Sequence, residues 1–225
     1  FEFCVAKILP MELEPVRNMN YQFLQSYDFT DEDIQELIKP TVDNIRGAIG
    51  LQEGNDIDYG KMLLFLKGNK ITEQDFIKEE SDYVKALMVN KEMMKDPFIK
   101  QRVHKMIKKK INDSKKGVIQ VNGNYSIISG DLYALCQFMF KKEVTGCLKA
   151  GEFYARTWLD KGVNKIVSYR APMTIHNNIV KMNLVENEIT KKYFRYMTTC
   201  TVLNAWDTTV DALNGADFDR FCRLI

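Results

Sequence analysis

The sequence predicts an α+β fold in two parts, a mainly helical region over residues 1–116 and a mixed α/β region over 117–225. Three observations predict it. Apolar residues between Thr30 and Lys116 recur at helical spacing behind good N-caps. The texture changes at Gly117 to short β-prone runs separated by turn residues. Helix-like and strand-like segments then alternate irregularly to the C-terminus, as in α+β domains rather than regular βαβ units.

The elements follow in order. "TDEDIQELI" opens with Thr30 as a cap, and three acids in its first turn suit the positive helix N-terminus. Pro40 is expected to end or offset that helix, because it lacks the N–H that a helix interior needs. "SDYVKALMVNKEMM", Ser81 to Met94, repeats the helical signal. The clearest helix runs from Asp96 to about Ser114, with Asp96 as cap and Pro97 in the first position. Its apolar face is Phe98, Ile99, Val103, Met106, Ile107 and Ile111. From Gly117, "GVIQVNGNYSIISG" predicts two strands joined as a hairpin at Asn122-Gly123-Asn124. "DLYALCQFMF" is a helix or a short apolar run, which periodicity does not decide. "KAGEFYARTWLDKG" reads as a helix closed by Gly162. "KIVSYR" is a strand broken by Pro172, "NEITKKYFRYM" a helix capped by Asn187, and "TTCTVLNAW" a strand.

Composition sets limits on function. With 225 residues, 45% hydrophobic and 28% charged, the chain suits one large domain or two small ones. A net charge of +2, from 32 Lys and Arg against 30 Asp and Glu, dictates no partner. No apolar run reaches the roughly 18 residues of a spanning helix, so no membrane partner is expected. "FEFCVAKILPMELEP" mixes acids and proline into its apolar residues and does not read as a secretory signal. The start at Phe1 and the apolar end at Ile225 lead us to expect a piece of a longer chain.

Cys4, Cys136, Cys147, Cys200 and Cys222 are scattered and odd in number, without Cys-x-x-Cys spacing. A zinc ribbon or disulfide framework is not expected, and reduced thiols in a cytoplasmic setting are. His104 and His176 are the two histidines, too few for a His-rich metal site. Between Lys95 and Lys116 stand nine Lys or Arg against two Asp. Such a run fits either a phosphate-binding face or the solvated outer face of a packed helix. No aromatic residues interleave the lysines, so base stacking is not supported there.

The acids offer three Asp-x-Asp pairs. Asp31/Asp33 opens a helix, where acids are expected. Asp56/Asp58 in "GNDIDYGK" fails as a calcium loop: Gly60 has the wrong offset and Lys67 stands where a bidentate Glu is needed. Asp217/Asp219, in "LNGADFDRF", rises above the others through its context.

That context is a pair of motifs. "SYRAPMTIHNN", Ser168 to Asn178, resembles the Arg-x-Pro-Thr-x-His segment of the largest subunit of multisubunit RNA polymerases. In that family Asn-Ala-Asp-Phe-Asp-Gly-Asp follows after a variable stretch, and "LNGADFD" stands at the corresponding place. The run "GNYSIISGDLYAL…TGCLKAGEFYARTWLDKGV…YRAPMTIHNN" is similar to the single-chain, two-barrel RNA polymerases of phages and mobile elements. The resemblance covers about Gly117 to Asp219 and none of the helical half.

The resemblance implies part of a double-psi β-barrel and a template-directed nucleotidyltransferase, its DNA or RNA template left open. It implies that Asp217 and Asp219 are catalytic, holding Mg²⁺ in the intact parent, with Phe218 between them anchoring the loop in the barrel core. Arg170 matches the arginine that reaches the sugar of the incoming nucleotide, with Pro172 and Thr174 shaping the strand beneath. His176 matches by position, although a packed, hydrogen-bonded histidine is the commoner role. The implied partners are a nucleic-acid template, nucleoside triphosphates and the remainder of the polymerase.

Three departures stand against it. Arg220 and Phe221 replace the Gly and third Asp of the motif, so two carboxylates remain with a cation beside them. Gly215 occupies the place of the ribose-selecting Asn, and Asn214, one place off, is the candidate substrate-binding residue instead. Nothing after Phe221 is expected to supply the rest of the barrel, and the partner barrel with its phosphate-binding lysines cannot be placed in this chain. "RFCRLI" reads as a tail from a shifted frame or a foreign end. No Mg²⁺ is therefore expected to bind these 225 residues alone, nor polymerase activity from them. A non-catalytic nucleic-acid or protein-binding domain on a polymerase-like scaffold, and an unrelated helical module, remain as alternatives.

Overall fold

The computed structural model describes residues 13, 16–50, 57, 59, 62–63, 82–173, 175–216 and 218, and the backbone of 221–224. The chain divides into two compact units, Val16–Val121 and Asn122 onward.

The first unit is helical with a two-stranded ribbon, β1 (Val16–Asn18) with β2 (Gln120–Asn122). Its helices are α1 (Tyr21–Gln25), α2 (Asp31–Ile49), α3 (Asp82–Val89) and α4 (Pro97–Lys115), with a 3-10 turn at Lys91–Lys95. Thr30 caps α2 in a full capping box with Asp33, and Asp96 caps α4 ahead of Pro97, as the sequence predicts. Pro40 does not end its helix: α2 runs through it to Ile49. The next residue explains this. The Gln120 N–H donates to Thr41 Oγ1 at 2.9 Å, and Asn44 Nδ2 donates to Gln120 Oε1 at 3.0 Å, tying the post-proline turn to β2. Ala48 then packs with Met62, Leu87, Ile99, Val103 and Ile107 in one core. Burial on that scale offsets a proline cost of about 3 kcal/mol. Of the apolar face predicted on α4, Phe98 lies outside the core and is 57% exposed.

The predicted hairpin does not form. β2 belongs to the ribbon with β1, whereas β3 (Asn124–Gly130) pairs with two strands of the second unit. A two-residue I′ turn needs positive φ at its centre, and Gly123 is not among the residues that have it.

In the second unit β3, β4 (Glu152–Tyr154), β5 (Lys165–Tyr169), β6 (Ile179–Leu184), β7 (Cys200–Leu203) and β8 (Phe221–Leu224) close into a barrel, in the order β3-β7-β4-β6-β5-β8. The β3/β7 and β4/β6 pairs are parallel and the others antiparallel. The tail beyond the Asp-x-Asp motif, not expected to supply the rest of the barrel, supplies β8 and joins β3 to β5. An extended segment that satisfies the ladder groups of two facing edges removes both of them. Likewise β4 replaces the first part of the helix predicted over 149–162, leaving Arg156–Leu159 (α6) helical, with Gly162 at φ 75° following its last turn as predicted. Phe153 and Tyr154, each 2% exposed, pack into the barrel, and that tertiary burial overrides local propensity. The strands at Lys165 and Cys200 and the Asn187-capped helix α7 (Glu188–Tyr193) stand as predicted.

The barrel core joins Ile128, Phe153, Trp158, Ile166, Met182, Leu184, Leu203, Leu213 and Ala216. β3 alternates buried and partly buried residues, the period of a pleated strand. Its buried Ser126 accepts from Thr201 Oγ1 at 2.9 Å and donates to the Thr199 carbonyl at 3.1 Å, fixing the parallel register with β7.

"DLYALCQFM" resolves as helix α5 (Leu132–Met139), whose Leu135, Phe138 and Met139 face outward. Asp131, 4% exposed, caps it through the Tyr133 and Ala134 N–H groups. Its other oxygen accepts from Cys147 N and Leu148 N. Gly146, at φ 64°, lies so close that a β-carbon there would stand 2.9 Å from the carboxylate. Asp131→Ala strips a cap and leaves two buried N–H groups without an acceptor. It is expected to lower barrel stability by about 2–5 kcal/mol, read by urea unfolding through Trp158 and Trp206, both in this unit.

Candidate active site

Strand direction gathers the candidate residues. The pairings bring the C-terminal ends of β3, β5 and β7 and the N-terminal ends of β4, β6 and β8 to one rim. The β5–β6 connection, which carries Arg170 to Asn178, and the segment from Asn204 to Phe218 both emerge there.

The second segment is built from short polar clamps. After β7, Asn204 Oδ1 accepts from Trp206 N and Asp207 N, and its Nδ2 donates to Asp207 Oδ2 at 2.6 Å. Asp207 also accepts from Gly151 N, Thr209 N and Thr209 Oγ1, which starts helix α8 (Thr209–Ala212). The chain then turns through two left-handed residues, Asn214 at φ 60° and Gly215 at φ 56°. Asn tolerates that region better than most side chains, and Gly freely. Leu213 and Ala216, at 0% and 3% exposure, pin the turn to the core on either side.

The first segment grips this turn. Arg170 Nη1 donates to the Asn214 carbonyl at 2.8 Å and to the Gly215 carbonyl at 3.3 Å. Asn214 Nδ2 donates back to the Pro172 carbonyl at 3.2 Å. Asn178, 2% exposed, donates from Nδ2 to the Ala212 carbonyl at 2.9 Å and accepts from Ile175 N. The two candidate substrate-binding residues, Arg170 and Asn214, thus meet in one network. Pro172, expected to help shape a strand, lies in the bend that follows β5. His176 is exposed at the start of a 3-10 turn rather than packed, because Asn178 is the residue that this turn buries.

Asp217, Asp219, Arg220 and Thr174 lie outside the described residues, as do Asp56 and Asp58. Phe218 between the aspartates was expected in the barrel core. It is 52% exposed, and its ring edge lies 3.7 Å from where a β-carbon on Gly130 would stand. It covers the end of β3 from outside, since Leu213 and Ala216 already fill the core beneath the turn. Among the described residues no cluster of three or more His, Cys, Asp or Glu is arranged to hold a metal ion. Burial, with the Asp131 charge adding to it, pushes the Cys147 thiol up to about 12, and burial raises Cys200, so these two stay protonated thiols.

Sequence reasoning missed Asn178, Asp207 and Asp131. For Asp131 a signal existed, an Asp directly before an apolar run. Asp207 also had a local signal, its bonds to Thr209 and Asn204 two and three residues away, and only its Gly151 contact is remote. For Asn178 the deciding partner, the Ala212 carbonyl, lies 34 residues on.

No family model matches the chain. A curated relative, the DNA-directed RNA polymerase YonO of Bacillus phage SPbeta, is 27% identical over 180 residues, covering 78% of this chain and 20% of the relative. The solved structure of RNA-dependent RNA polymerase QDE-1 from Thielavia terrestris superposes with a TM-score of 0.60 at 13% identity, over 95% of this chain and 24% of that one. The chain thus spans about a fifth of the curated relative's length and a quarter of the solved chain's.

Two predictions follow from this geometry. Arg170→Ala removes the donor to two turn carbonyls and is expected to speed amide exchange at 214–218 about tenfold, equivalent to about 1–2 kcal/mol of local opening. Barrel unfolding read by tryptophan fluorescence should change little. Burial raises the Asp207 carboxyl, but its hydrogen bonds from Thr209, Asn204 and Gly151 outweigh that and hold it below the usual range. Its contribution to stability is therefore full above the ordinary carboxylate value of about 3.9 and lost as pH falls through the depressed one. An acid titration of stability should be less steep below about pH 4 in Asp207→Asn than in the parent. In fold, and over most of its length in sequence, the chain resembles RNA polymerases.

Proposed function

We propose that this chain is the part of a template-directed RNA polymerase that carries the metal-binding loop of its active-site barrel, and that the barrel is of the double-psi type. The observation that carries the reading is the grip of Arg170 on the backbone immediately before Asp217, at the rim of a closed barrel with two parallel pairings. The two polymerase motifs, separated along the chain, meet there. The similarity to a phage DNA-directed RNA polymerase supports the same chemistry.

In this reading Asp217 and Asp219 are the protein's ligands for Mg²⁺. Two carboxylates suit that ion, which keeps several waters and takes its remaining oxygens from substrate phosphates. When bound, the metal stabilises charge on the transferring phosphoryl group and acidifies the attacking hydroxyl. The chain's own part is to hold the loop still. Arg170 and Asn178 fix the main chain on one side, and Leu213 and Ala216 anchor it to the core. Arg170 also places a cation beside the loop, where it favours an anionic nucleotide. Template, nucleoside triphosphates and the remainder of the polymerase are the partners, and synthesis requires that remainder.

The test is nucleotide incorporation by a polymerase that contains this chain whole. Asp217→Ala or Asp219→Ala is expected to cut incorporation at least about 10²–10³-fold without altering the fold, the scale of several kcal/mol of lost charge stabilisation. The 225 residues alone are expected to bind Mg²⁺ no tighter than millimolar by calorimetry, two carboxylates and an adjacent Arg220 making a weak site. Full activity in Asp219→Ala, or tight Mg²⁺ binding by the isolated chain, overturns the assignment. The former result would favour a non-catalytic binding domain on the same scaffold.

A further inference from the structure

We infer that the outer face of α4 is a docking surface for the phosphate backbone of double-helical nucleic acid. This goes beyond the barrel reading and stands on the unit Val16–Val121 alone. The helix is two-sided. Ile99, Val103 and Ile107 face the core with Ala48 and Leu87. Lys110 and Asp113 are half-buried beside them, and burial holds Lys110 below the ordinary ammonium range, with Asp113 opposing. Everything charged on the opposite side is a cation. Arg102, Lys105, Lys108, Lys109, Lys115 and Lys116 are exposed there, and Lys100, also exposed, lies nearer the core side at the helix start. From Lys105 they follow helical spacing through Lys108, Lys109 and the exposed Asn112 to Lys115 and Lys116, so they share one stripe. Among the described residues none of the seven is in an ion pair. Lys95, by contrast, is paired with Glu92.

The stripe from Lys105 to Lys116 is about 16 Å long at 1.5 Å per residue. A duplex presents one phosphate charge per ~1.7 Å of axis, so such a stripe faces a polyanion of matching length. The alternatives fit less well. An anionic membrane recruits amphipathic helices by their apolar face, and that face of α4 is already buried. A splayed single strand needs aromatic platforms. The stripe has none, and Phe98 at the far end of the helix is covered by the Arg102 guanidinium, 5.1 Å from its centroid. An acidic protein partner would be expected to find apolar anchors as well. Lysine ammoniums on flexible stems read charge rather than sequence, so binding is independent of sequence.

The test uses the full 225-residue chain and fluorescence anisotropy with a labelled random-sequence DNA duplex across a salt series. Lys105→Gln, Lys108→Gln and Lys109→Gln together are expected to weaken binding about 10²-fold near 0.1 M salt. The slope of log K against log salt should become shallower by about 2.7, from about 0.9 per lost phosphate contact. Arginine at the same three positions should restore both, which separates lost charge from a damaged fold. Glutamine at the exposed Lys141, Lys142 and Lys165 of the barrel unit is the control and should leave most of the slope in place. An unchanged slope in the α4 triple variant overturns the inference, as does an equal loss in the control. Tighter binding of an unpaired strand, or equal lysine-dependent binding of phosphatidylserine vesicles, overturns it too. None of these readouts depends on nucleotide incorporation, so the barrel reading can fail without it and it without the barrel reading.

Discussion

Strand direction is the constraint on which the barrel depends. Two of its six pairings are parallel, and parallel neighbours cannot be joined by a tight turn. β3 reaches β7 only after the chain has laid down β4, β5 and β6, and β4 reaches β6 only through β5. These crossovers carry the irregular backbone of the domain, and the pairings deliver most of it to one rim. Arg170, Asn178, Asp131, Asp207 and the turn before Asp217 are neighbours of that rim because of topology, not because of closeness in sequence.

Irregular backbone needs acceptors and donors that a ladder would otherwise provide. At this rim single side chains supply them. Asp131 receives four backbone N–H groups, Asp207 receives two along with two side-chain donors, and Arg170 and Asn178 together cover three carbonyls of the turn. The apolar contribution comes from Leu213 and Ala216 beneath. A turn held in this way from both sides has little freedom to drift. That suits a loop whose proposed task is to keep two carboxylates in fixed register for a metal that tolerates little distortion.

The helical unit solves a different problem with α4. One side of that helix closes an apolar core with α2 and α3, and the other presents cations without acids. Its charge does not help it fold, since like charges at neighbouring helical positions repel. Packing of Ile99, Val103 and Ile107 holds the helix in spite of them.

The sequence by itself determined the features that act over a few residues. Thr30, Asp96 and Asn187 as caps, Pro97 at a first helical turn, and the strands at Lys165 and Cys200 were all legible, because their signals lie within one or two turns of chain. The α+β class followed, and the two motifs around Arg170 and Asp217 pointed to polymerases. Tertiary structure decided the rest. It carried α2 through Pro40 and sent β2 and β3 to different units despite a hairpin-like Asn-Gly-Asn. It also turned Phe153 and Tyr154 into a barrel strand, and the four residues from Phe221 to Leu224 into another. Each of these outcomes depends on partners remote in sequence: Arg170 from Asn214 by 44 residues, Ser126 from Thr201 by 75, Gln120 from Thr41 by 79. Local pattern carries no record of such pairings, because the free energy that selects them appears only when the barrel closes and its unpaired edges vanish.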